Sequence, residues 1–139
     1  MSADLLRIDA ELALMIRGDG LDVPQLNTAL ALEPTRIIRR GDQLNRLPPI
    51  YAREDSWAYI RPLSEFEGRD EVMNALLTHL LNHWDALKEI AQTYTVELEL
   101  SIRSDKAHIS YRLMPDTLQK IVALGIPLNV SSVSWGDVL

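Results

Sequence analysis

From Leu6 to Ile16 the chain alternates, with Leu6, Ile8, Ala10, Leu12, Leu14 and Ile16 on one phase and Arg7, Asp9, Glu11, Ala13 and Met15 on the other. A period of two over this length predicts a long strand with one buried face and one largely wet face. Acids on the second face favour an antiparallel or mixed sheet over a parallel one covered on both sides. Gly18-Asp19-Gly20 ends the run as a turn.

A second constraint lies further on. Met73, Leu76, Leu77, Leu80, Leu81, Trp84, Leu87 and Ala91 form a stripe at helical spacing. One helix from Arg69 to Tyr94 is therefore expected, with Trp84 in the core and Asp70 and Glu71 favouring its positive end. Between these segments, Asp22 caps a helix that begins at Pro24 and stops at Pro34. Thr35 to Arg40 suggests a short strand, Leu47-Pro48-Pro49-Ile50 a loop, and Trp57 to Arg61 a strand.

Val96, Leu98, Leu100 and Ile102 alternate with Glu97, Glu99, Ser101 and Arg103, and Ala107, Ile109, Tyr111 and Leu113 alternate again after Ser104-Asp105-Lys106. Residues 95–114 are expected to form a β-hairpin. A helix from Pro115 to a Gly125 cap and a strand from Leu128 to Val133 complete the chain. The 139 residues, 47% hydrophobic and 24% charged, suit one core. The expectation is a single α+β domain over residues 1–139, a mainly antiparallel sheet with one long and two short helices packed on it.

Composition narrows the chemistry. The absence of cysteine removes thiolate nucleophiles, disulfides and Cys-based metal sites. A net charge of −6 speaks against nucleic-acid binding. No secretory signal or run long enough for a bilayer span is visible, so a cytoplasmic protein without membrane attachment is expected. His79 and His83 have a metal-compatible spacing, but Leu80 stands where H-E-x-x-H needs its glutamate and no third ligand is in view. Neither a metal nor a cofactor is expected. Ser131, Ser132 and Ser134 lie in a strand away from any nucleophile elbow. No catalytic motif is found, and the expected function is non-enzymatic.

The candidate binding residues fall in two groups. Arg36, Arg39, Arg40 and Arg46 crowd an acidic chain around a single acid, Asp42, and Trp57 and Tyr59 follow them. Arginine and aromatic side chains are frequent interface anchors. The same guanidinium groups could capture a small anion, or simply pair with acids such as Glu33, Glu54 and Asp55. Glu97 and Glu99 project from one strand face. They suit a basic partner.

Leu32-Glu33-Pro34-Thr35-Arg36, then Arg40-Gly41-Asp42, Trp57, and Leu124-Gly125-Ile126-Pro127-Leu128 together resemble the motif order of a small bacterial family, domain-of-unknown-function family 4279. The resemblance spans nearly the whole chain. It implies an α+β bacterial domain, with no activity or catalytic residue attached.

The leading expectation is a protein-binding domain, in its narrowest form a bacterial immunity or antitoxin-like protein that neutralises a basic toxin. The alternative is a small anionic-ligand-binding domain using the Arg36–Arg46 arm and Trp57. Unpaired strands at the sheet edges carry a third reading, an oligomer-forming protein.

Overall fold

The computed structural model describes residues 8–63, 69–105 and 109–134. Leu6, Phe66, Ala107, His108 and Trp135 lie outside these residues. The centre of the fold is β1 (Ile8–Gly18), and its length follows from the alternation in the sequence. It pairs antiparallel with β5 (Asp55–Leu63) on one side and with β6 (Thr95–Ser104) on the other. A short edge strand, β2 (Arg36–Ile38), lies antiparallel to β5, and β7 (Leu128–Ser134) runs parallel to β6. The sheet order is β2-β5-β1-β6-β7. A separate two-stranded hairpin, β3 (Gln43–Arg46) and β4 (Pro49–Tyr51), leaves the chain between β2 and β5.

Among the described residues four helices supply the other layer: α1 (Val23–Leu30), α2 (Arg69–Asn82), α3 (Trp84–Thr93) and α4 (Pro115–Leu124). Leu12, Leu14 and Ile16 from β1 meet Leu26, Leu30, Met73, Leu77, Leu80, Leu87 and Leu124 from the helices in one core. The fold is therefore α+β with a mainly antiparallel sheet, as expected. No helix among the described residues is long and apolar enough to cross a membrane.

The opposite face of β1 is not wet throughout. Ala13 and Met15 are buried with Ala58, and Ile60 packs beside them. This second cluster contains strand residues only, so small side chains on adjacent strands shield one another there without a helix. Where β1 ends, a Cβ on Gly18 would come within 2.6 Å of the Tyr94 ring, which explains a glycine at that point.

Several expectations are corrected. The long helix is two helices, because His83 departs from helical geometry at φ −117° and ψ 28°. Its amide donates to Leu80 O at 3.0 Å, while its ring Nδ1 donates to His79 O at 2.9 Å. The side chain thus takes the carbonyl that an uninterrupted helix would give to the His83 amide. Trp84 consequently starts a new helix and leaves the core, 39% exposed, with Lys88 Nζ 4.4 Å from its ring centroid. Leu80 remains fully buried. Leu80→Ala should cost about 2–5 kcal/mol and Trp84→Ala under about 1 kcal/mol in denaturant melts; equal losses would contradict this placement.

The hairpin over residues 95–114 does not form. One edge of β6 is occupied by β1 and the other by β7, so no edge remains for residues 109–114. Ile109, Tyr111 and Leu113 nevertheless pack on the main core. Their alternation marks burial without a ladder. The segment read as a loop around Leu47 to Ile50 is instead the turn and second strand of the β3–β4 hairpin.

The ends of α1 and α4 follow their sequence signals. Asp22 Oδ1 accepts from the Gln25 amide at 3.2 Å, and Gly125 ends α4 at φ +68°. Helix α1 stops earlier than Pro34, at Ala31 in the left-handed region with φ +51°.

Candidate functional site

The arginine-rich segment is organised by one buried acid. Asp55 opens β5, and its Oδ1 accepts from the Arg40 amide at 2.8 Å. Its Oδ2 accepts from the Leu21 amide and from the Arg39 guanidinium, both at 3.1 Å. Arg39 Nη1 also donates to Leu21 O at 3.0 Å. Three donors hold the charged form of Asp55, so its pKa lies below the ordinary carboxylate value, chiefly through the Arg40 amide and against the opposing effect of burial. This carboxylate ties the arm to the turn before α1.

Asp42 has a comparable local role. Its Oδ2 accepts from the Arg39 amide at 2.8 Å, and its own amide donates to Arg39 O at 2.9 Å. Gly41, at φ +91°, completes the turn. Reciprocal bonds of 2.8 Å, from the Gly41 amide to Ala52 O and from the Ala52 amide to Asp42 O, clamp the base of the β3–β4 hairpin.

Beyond that base the hairpin projects. Leu44, Leu47, Ile50 and Tyr51 are 52%, 88%, 48% and 56% exposed. Residues 36–54 carry five arginines against two acids, so the arm is locally positive within a chain of net −6. Among the described residues, Arg36 and Arg46 enter no ion pair, and Arg40 reaches only the exposed Asp19, at 3.9 Å.

The sequence-derived candidates therefore separate. Arg39, Arg40 and Asp42 come together at the foot of the arm, with Arg39 directed to Asp55. Arg36 is exposed on edge strand β2. Trp57 is fully buried in the core, and its Nε1 donates to Asn27 Oδ1 at 2.8 Å, so it lines no groove beside the arginines. Tyr59 is half-buried and packs on the same core.

Glu97 and Glu99 lie on the sheet face away from the helices, but in different settings. Glu97 is buried and paired with Arg17. Glu99 is half-buried between Ala13 of β1 and Asn129 of β7. His79 and His83 are half-buried and stacked, 4.5 Å between ring centroids. His79 Nε2 donates to Leu30 O at 2.7 Å, satisfying a carbonyl at the end of α1. A cavity of about 370 Å³ at the start of α2 is lined by Asp70, Ser110, Arg112 and Met114.

The exposed apolar residues of the arm were missed in the sequence because the two prolines suggested an irregular loop. The available signal was four apolar side chains within residues 44–51 with no stripe to join.

The family model for a domain of unknown function (DUF4279) matches residues 8–134. The chain belongs to this family. The match runs from β1 to the end of β7, so the arm, the Asp55 anchor and both sheet edges all fall within the family domain. No curated protein and no solved structure matches the chain.

Proposed function

We propose that this chain is a protein-binding domain that presents the β3–β4 hairpin to its partner. The observation that carries the reading is the solvent exposure of Leu44, Leu47, Ile50 and Tyr51 on an anchored projection. Apolar side chains clustered on an exposed element lose water-accessible area on docking. Tyrosine and arginine beside them are typical anchors of such contacts. Asp55 and the Gly41–Ala52 clamp pre-organise the base of the arm, which lowers the ordering cost of binding.

In its narrowest form the reading is a bacterial, cytoplasmic immunity or antitoxin-type protein whose partner is a basic toxin domain. Small size and a net charge of −6 support that form, because complementary charge accelerates encounter with a basic surface. Glu11 and Glu99, on the face away from the helices, are the acids to vary, since reversing Glu97 would also break its pair with Arg17.

The test is cross-linking of the full chain to its partner in the native host, followed by titration with the partner identified. Leu47→Asp should weaken binding about tenfold or more, with the circular dichroism spectrum unchanged. The pair Glu11→Lys and Glu99→Lys should slow association at low salt if the partner is basic. Unchanged affinity of Leu47→Asp would remove the arm from the interface, and unchanged association of the double variant would remove the basic-partner form.

A further inference from the structure

The segment between β6 and α4 alternates without belonging to a ladder. Ile109, Tyr111 and Leu113 pack on the main core, while Ser110, Arg112 and Met114 between them are exposed. In extended chain the two sets point opposite ways, so one set anchors the segment and the other is presented. All three presented residues line the cavity at the start of α2, together with Asp70. Its volume of about 370 Å³ falls at the small end of the range of about 300–1,000 Å³ usual for small-molecule sites.

The walls of this cavity are held in place. Asp70 and Asn74 are four residues apart and share one face of α2. Thr117, fully buried in the first turn of α4, donates its hydroxyl to Asn74 Oδ1 at 2.9 Å. The start of α4, where Met114 is the N-cap residue, is thereby tied to the face of α2 that carries Asp70. Packing of Ile109, Tyr111 and Leu113 fixes the remaining wall. Walls set by packing reduce the ordering cost of binding.

The lining is chemically mixed. Arg112 and Asp70 bring opposite charges to one space, yet among the described residues neither enters an ion pair. Arg112 offers a planar fork that matches a carboxylate. Asp70, half-buried, accepts hydrogen bonds and suits an ammonium group. Ser110 can donate to an oxygen beside the guanidinium. Met114 supplies a flexible thioether chain that adapts to apolar groups of different shapes. A simple anion would share the cavity with the Asp70 carboxylate, and a simple cation with the Arg112 guanidinium. A small molecule carrying both charges close together complements both.

We propose that this cavity binds a free α-amino acid with an aliphatic or thioether side chain, its carboxylate on Arg112 and Ser110 and its ammonium group on Asp70. Met114 covers the ligand's side chain. The site uses no residue of the β3–β4 arm.

The experiment is isothermal titration calorimetry of the full chain at pH 7 with L-leucine and L-methionine, taken to about 10 mM so that a millimolar Kd is reached. Two analogues of leucine separate the charges: 4-methylpentanoate lacks the ammonium group, and 3-methylbutylamine lacks the carboxylate. Saturable binding of at least one amino acid is expected, with each analogue weaker by about tenfold or more. Arg112→Lys keeps the charge and loses the fork, and Asp70→Asn keeps the size and loses the charge. Each should weaken amino-acid binding about tenfold or more with the circular dichroism spectrum unchanged, while Leu47→Asp in the arm should bind like wild type. Absence of saturable binding by both amino acids would overturn the proposal. Equal affinity for either leucine analogue, or wild-type affinity in either cavity variant, would do the same. Docking of a partner through the arm does not depend on this outcome, so the two readings fail separately.

Discussion

Trp57→Ala should unfold this protein more readily than any other single change considered, at a cost of about 3–5 kcal/mol. Trp57 is fully buried and pairs with Ile16 in the β1–β5 ladder. Its removal would open a large void between β5 and α1 and leave Asn27 Oδ1 without its 2.8 Å donor. Urea melts of Trp57→Ala and Trp57→Phe separate the two contributions. The phenylalanine variant keeps most of the volume and loses the hydrogen bond, so it should fall between wild type and alanine. A Trp57→Ala loss below about 1 kcal/mol would be incompatible with a tryptophan at the centre of the core.

The second large effect is expected at Asp55, through pH as well as mutation. Its native pKa is lowered, chiefly by the Arg40 amide, with the Leu21 amide and Arg39 guanidinium adding to the effect. A carboxylate whose native pKa lies below its unfolded value binds protons more readily when unfolded. It therefore contributes stability above the unfolded value of about 4, and that contribution is lost as pH falls through the native value. Asp55→Asn should lower the melting temperature at pH 7 and flatten the acid limb of the stability profile below about pH 4. Hydrogen exchange should report faster opening at the Leu21 and Arg40 amides, the two backbone donors to this carboxylate. An Asp55→Asn variant with wild-type melting at pH 7 and the same acid limb would show that the arm is held by other contacts.

These two residues also show where sequence patterning stops. Trp57 and Asp55 stand two positions apart on a strand, yet only the pairing of β5 with β1 turns both to the helix side of the sheet. The sequence shows Asp55 near several arginines. It does not show that Arg39 turns to this acid while Arg46 goes out on the hairpin, because that choice depends on β2 and β5 lying side by side. Likewise Glu97 and Glu99 look equivalent in an alternating run. Proximity to Arg17 on the adjacent strand buries one as an ion pair and leaves the other half-exposed.

Local signals determined much of the framework on their own. Alternation in β1 and β6, the Asp22 cap, Pro115 at the start of α4 and Gly125 at its end act through near-neighbour sterics and hydrogen bonds, so a single chain displays them in its residue order. The apolar stripe of residues 73–91 equally announced helical burial. It could not announce the break at His83, because a short side-chain bond to a neighbouring carbonyl leaves the spacing of leucines almost unchanged. Competition for sheet edges was decided only in three dimensions. Ile109, Tyr111 and Leu113 carry the alternation of a strand, but β1 and β7 occupy both edges of β6, and a strand can hydrogen-bond to only two neighbours.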